Sequence, residues 1–186
     1  MNQVGEFVRE AIEATERGAT EKAFALICAA IEETLKKSLD QTDVSGVDYQ
    51  NFIKQNWQLL AFMGLPQALP ISLKTEYGLT RLVNGYSFRS AEEAISYLVR
   101  QTVLIGSMPT QFGFHKTAAF DSANKKLLIP ASLIRGLIGV VIFQPANKDQ
   151  SVPDNYWINI SDFKMFVSEF WGRIDLAERI MNFYVS

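Results

Sequence analysis

The sequence predicts a mainly α protein: a helical bundle carrying a small inserted antiparallel β-hairpin or three-stranded sheet. Three observations carry this. Apolar residues recur at helical spacing through most of the first hundred positions. A capping signature, Ser90-Ala91-Glu92-Glu93, opens a helix with serine at the N-cap and glutamate three residues on. Between residues 111 and 129 the apolar period shortens toward two around a turn-like Asp121-Ser122-Ala123-Asn124. The chain of 186 residues fits one domain, 1–186, with a helical part at about 3–106 and a hairpin with further helices at about 107–186. At this length a chain buries roughly 70% of its unfolded surface, enough to fold without a metal or a disulfide.

Residues 3–17 form the first predicted helix. Phe7, Val8, Ala11 and Ile12 share a face, and Gly18 ends it. Thr20 caps the next, about 21–39, whose stripe is Phe24, Ile27, Cys28, Ile31 and Leu35. Its outer face places Glu32 before Lys36 and Glu33 before Lys37 at i,i+4. Residues 40–48 read as a polar loop. A helix over about 48–63 then buries Phe52, Ile53, Trp57, Leu59, Leu60 and Met63, and Gly64 with Pro66 stops it. Residues 65–70 are irregular, and 71–84 suit a strand or a helix equally.

The capped helix, 91–105, puts Ile95, Leu98, Val99 and Thr102 on one side and ends at Gly106 and Pro109. Phe112 and Phe114, then Leu127-Leu128-Ile129, flank the turn as the arms of a hairpin. Pro130 starts a helix to about Phe143 that is apolar nearly all round and therefore central. Within it, Gly136 and Gly139 permit another element to come close. After a polar loop at 145–153, Tyr156–Ile160 alternates and is a candidate third strand of the hairpin. Ser161 or Asp162 caps a predicted helix to Trp171, and a last helix covers about 173–184.

Net charge is −2 and the pI is 5.5, so a general electrostatic grip on nucleic acid is not expected. One cysteine, Cys28, excludes an intrachain disulfide. The opening Met1–Glu6 has no basic region, which predicts no secretory signal. The longest apolar run, Leu133–Phe143, contains Arg135 and is well short of the ~20 residues of a membrane span. Together these predict a cytoplasmic protein with no membrane contact.

Few residues carry chemistry. Cys28 sits on a buried stripe, which suits a core thiol and not a reactive thiolate. His115 is the only histidine and falls on the hairpin face opposite Phe112 and Phe114. With neither a histidine pair nor a cysteine pair, no metal or other cofactor is predicted. Gly136-Leu137-Ile138-Gly139 lies inside an apolar helix, so it is a packing feature and not a phosphate loop. Lysines account for Glu32 and Glu33, and capping accounts for Glu93. Trp57, Trp157 and Trp171 read as core or interface residues. Arg81, Arg89 and Arg100 are either solvated surface cations or parts of an anion site.

Two segments carry a resemblance. Residues 25–37, ALICAAIEETLKK, resemble the long opening helix of HEPN-type helical domains, and residues 94–105, AISYLVRQTVLI, resemble the later helix that bears the signature of that superfamily. The signature is an arginine, a polar residue, three further residues and a histidine. Arg100 and Gln101 match its first two positions, and Ile105 stands at the histidine. The resemblance spans about residues 20–106. It implies an antiparallel helical bundle that forms a homodimer. Active members are metal-independent ribonucleases, frequent in bacterial defence and toxin–antitoxin systems. Isoleucine transfers no proton, so the resemblance implies a non-catalytic interaction or regulatory domain, with a nucleotide or phosphate site around Arg100 and Gln101. Arg81 and Arg89, the other two basic positions, are further candidates for that anion site. RNA or a protein partner fits that reading. Two alternatives stand beside it. One is a metal-independent ribonuclease or other hydrolase using His115 with the arginines, and the other is a structural subunit of a larger complex.

Overall fold

The computed structural model describes residues 2–65, 88, 90–160 and 163–185. The prolines at 66 and 70, the ambiguous stretch 71–84, Arg81, Arg89, Ser161 and Asp162 lie outside the described residues.

Seven α-helices occur among the described residues: α1 (Gln3–Glu16), α2 (Thr20–Leu39), α3 (Gly46–Gln55), α4 (Trp57–Gly64), α5 (Ala91–Ile105), α6 (Leu133–Phe143) and α7 (Ile174–Val185). They form a mainly helical fold with small sheets. The helix ends follow local chemistry. Gly18 and Gly106 take positive φ, +72° at each, after α1 and before the strands, a conformation that glycine adopts without steric cost. Ser90 Oγ accepts the Glu93 amide hydrogen at 3.2 Å, so the cap read from the sequence is in place. Thr20 is the first residue of α2 instead of its cap.

The helix expected over 48–63 is two. It begins earlier, at a capping box in which Ser45 and Asp48 bond reciprocally, and it breaks at Asn56. There the Asn56 side chain donates back to the Phe52 carbonyl at 2.9 Å, and its own oxygen accepts from Gln144 at 2.7 Å. An asparagine that finds such partners competes with the helical ladder.

Helix α6 is the centre. All but Arg135 of its eleven residues are buried, and each fully buried Leu or Ile contributes about 2 kcal/mol of hydrophobic stabilisation. It crosses α4 closely. Gly136 faces Gly64, and a Cβ at Gly136 would lie 2.9 Å from the Gly64 Cα and 2.7 Å from the Leu60 carbonyl oxygen. The expected close approach therefore occurs, with α4 as the partner. Across the same contact Ser132 donates to the Gly64 carbonyl at 2.5 Å, and Arg135 Nε donates to the Met63 carbonyl at 3.2 Å. These bonds satisfy carbonyls that the end of α4 leaves without helical partners. One continuous core runs from Val4 in α1 to Ala177 in α7.

The strands depart from the expected hairpin. β1 (Phe112–His115), β2 (Ala119–Asp121) and β3 (Lys126–Pro130) form a sheet in the order β1-β3-β2. Asp121 Oδ1 accepts the amides of Ala123 and Asn124, both at 3.1 Å, so the turn is where the sequence put it. Its first arm, however, is β2, which is antiparallel to β3, while β1 pairs with β3 in parallel on the other side. β4 (Trp157–Ile160) does not join this sheet. It pairs antiparallel with β5 (Phe163–Phe166), Trp157 opposite Phe166. No helix runs to Trp171. Residues that suited a helix form β5 and a 3-10 turn, Val167–Glu169, because Ile158 and Met165 bury one face of the β4–β5 hairpin while Lys164 and Phe166 stay outside.

Candidate functional site

Arg100 lies on α5 where that helix packs against α3. The contact is close because α3 begins with a glycine: a Cβ at Gly46 would meet the Arg100 guanidinium carbon and Nη1 at 3.4 Å. The guanidinium thus rests on the first turn of α3. Arg100 is partly buried and has neither a hydrogen bond nor an ion pair among the described residues. Gln101 is the next residue round the helix and is also partly buried.

Tyr49, one turn along α3 from Gly46, is a residue that the sequence reading did not single out. It is 3% exposed. Burial and then the carboxylate of Glu32 push its phenol above the ordinary value, and Arg100 acts in the opposite sense. Its hydroxyl is therefore a neutral donor at all physiological pH. No periodicity marks it, since aromatic residues on helices usually signal packing alone.

The acids nearby are engaged. Lys36 holds Glu32 at 3.1 Å and Glu33 at 2.9 Å, and these partners, Glu33 first, raise the lysine's pKa. Only half of the pairing read from the sequence is formed, because Lys37 turns away to Asp149. Asp48 accepts from the Ser45 hydroxyl at 2.6 Å and the Ser45 amide at 2.8 Å, bonds that hold its carboxyl below the usual range. Cys28 is fully buried in α2, and burial drives its thiol well above the ordinary value, as a core cysteine requires.

His115 is exposed at the end of β1, with Nδ1 3.4 Å from both the amide nitrogen and the carbonyl oxygen of Thr117. No hydrogen bond joins it to Arg100. Among the described residues no group of His, Cys, Asp and Glu side chains is arranged to hold a metal ion, and no helix is long and apolar enough to cross a membrane.

A second polar region does not include Arg100. A cleft of about 410 Å³ opens between the end of α1 and the start of β4, lined by Glu13, Glu16, Arg17, Asn155, Tyr156 and Trp157. The Tyr156 hydroxyl donates to Glu13, and that bond is the main cause of the lowered Glu13 pKa, with Arg17 and Arg9 assisting. Lys164 sits 4.0 Å above the Trp157 ring. The partners are 143 residues apart in sequence, so nothing local signals the cleft.

A family model described as Rv1289 matches residues 3–77 and 88–185, nearly the whole chain. The chain belongs to the Rv1289 family. It is similar to the uncharacterized protein Rv1289 of Mycobacterium tuberculosis, 24% identical over 199 residues, a match covering 96% of this chain and 88% of that relative. The same identity and coverage relate it to the uncharacterized protein Mb1320 of Mycobacterium bovis. No solved structure matches. Within this Rv1289-family chain, Arg100, Gly46 and Tyr49 all fall inside the matched segments, as do Glu13 and Tyr156.

Proposed function

We propose that this Rv1289-family protein is a non-catalytic, HEPN-like interaction or regulatory domain. In this reading it acts as a cytoplasmic homodimer and holds a phosphate-bearing ligand, a nucleotide or an RNA, at Arg100. The observation that carries the reading is the partly buried guanidinium of Arg100 with no carboxylate among the described residues to pair with it. A cation partly withdrawn from water gains most from an anion arriving at close range. Ile105, 56% exposed one turn beyond Arg100, occupies the position of the signature histidine and supplies no acid–base group. Val47 and Leu104, 62% and 65% exposed, adjoin Gly46 and follow Arg100 on α5. Apolar side chains grouped in this way support a subunit interface beside the arginine. A defence or toxin–antitoxin setting belongs to the same reading.

The test is an assay of RNA cleavage run beside phosphate binding, on the wild type and Arg100→Ala. The expected result is no cleavage by either protein, and phosphate binding by the wild type that the substitution abolishes. RNA cleavage that Arg100→Ala removes would instead establish an active nuclease.

A further inference from the structure

From the packing of α3 on α5 we infer that Tyr49 is a second ligand-binding residue of the Arg100 site, its hydroxyl donating a hydrogen bond to the same phosphate oxygens that Arg100 engages. This deepens the reading above and rests on it. Gly46 and Tyr49 are three residues apart and share a face of α3. Gly46 touches the guanidinium, and Arg100 is among the charges that act on the Tyr49 phenol.

The hydroxyl itself is the second observation. Tyr49 is 97% buried, so its ring is fixed by packing, yet its hydroxyl has no hydrogen-bond partner among the described residues. Nor is that oxygen among the fully enclosed unpartnered polar atoms, so it keeps a small contact with solvent. A tyrosine kept only for core packing would serve equally as phenylalanine. A hydroxyl held by a buried ring one helical turn from the glycine that meets the guanidinium is a pre-positioned donor, and fixing it costs little entropy on binding. The charged groups around it are Glu32 and Glu33, held by Lys36, and Asp48, bonded to Ser45. Among the described residues a free carboxylate is thus not competing for either donor. Arginine with a neutral hydroxyl suits a phosphate monoester, which offers several acceptor oxygens.

The experiment titrates inorganic phosphate and adenosine monophosphate into the full chain by calorimetry, using the wild type, Tyr49→Phe and Arg100→Ala, with thermal unfolding of each. Tyr49→Phe removes one oxygen and keeps the ring. The expected result is about tenfold weaker binding for Tyr49→Phe, the worth of one hydrogen bond to a charged group. Its unfolding temperature should be unchanged or raised, because the hydroxyl has no partner among the described residues. Arg100→Ala should abolish binding. If Arg100→Ala abolishes binding while Tyr49→Phe binds like the wild type, the role of Tyr49 is overturned and the Arg100 site stands. If the wild type binds neither probe, both readings fail.

Discussion

Replacing Gly136 by alanine measures how much of the fold rests on the α4–α6 crossing. The added Cβ would lie 2.7 Å from the Leu60 carbonyl oxygen, 2.9 Å from the Gly64 Cα and 3.0 Å from the Gly64 amide nitrogen. All three are backbone atoms of α4 and cannot rotate away. Carbon contacts settle at about 3.5–4.0 Å, so the two helices must part by roughly 0.5–1 Å. Overpacking of this kind costs about 1–3 kcal/mol. Separation also stretches the bonds from Ser132 to Gly64 and from Arg135 to Met63, each worth about 1 kcal/mol. The helical preference of alanine over glycine returns about 1 kcal/mol. The balance is a loss of about 1–3 kcal/mol. Gly139 supplies the control, because the atoms nearest to a Cβ there are the Sδ and Cε of Met63, the far end of a flexible side chain and not backbone. Gly139→Ala should change stability by less than about 1 kcal/mol. Urea unfolding followed by circular dichroism at 222 nm gives both values. A Gly136→Ala protein as stable as the wild type, or a Gly139→Ala protein the weaker of the two, would refute the close-packed crossing.

Other outcomes follow from the same structure. Leu104→Asp combined with Ile105→Asp should convert the expected homodimer to a monomer in light scattering without unfolding it, because both side chains are exposed; a wild type that is already monomeric would end the dimer proposal. Glu13 has a lowered folded pKa, so its contribution to stability is present above the unfolded value near 4.5 and is lost as pH falls through the folded value. Tyr156→Phe removes the main cause, so in a carboxyl NMR titration the Glu13 pKa should rise toward the ordinary value, and an unmoved titration would contradict the bond. Cys28 should react with a thiol reagent only at the rate of unfolding, while denatured protein reacts at once; fast reaction of the native protein would show the thiol is not enclosed. Asn147→Ala should cost about 1–3 kcal/mol in denaturant unfolding, since this fully buried amide donates to Thr34 Oγ1 at 2.9 Å and the Val141 carbonyl at 2.8 Å, and wild-type stability would exclude that role.

The sequence by itself determined the helical class, the ends of α1 and α5, the central position of α6 and the turn at Asp121, because each is written in adjacent residues. Stripes at helical spacing, a serine cap and glycines at positive φ act over a few positions of chain. It also marked Arg100 and the isoleucine that follows it one turn later. Tertiary structure alone decided the rest. Asn56 divides a helix because Gln144, far along the chain, offers its amide. Phe163–Phe166 is a strand because β4 is there to pair with it, although the same residues suit a helix in isolation. β3 takes β1 on one side and β2 on the other, a choice between parallel and antiparallel partners that alternation along one strand does not specify. Tyr49 likewise resembled any buried aromatic until α3 was laid against α5. Its hydroxyl became meaningful only beside a guanidinium 51 positions away, since hydrogen bonds and charge interactions act through space over a few ångströms whatever the separation along the chain.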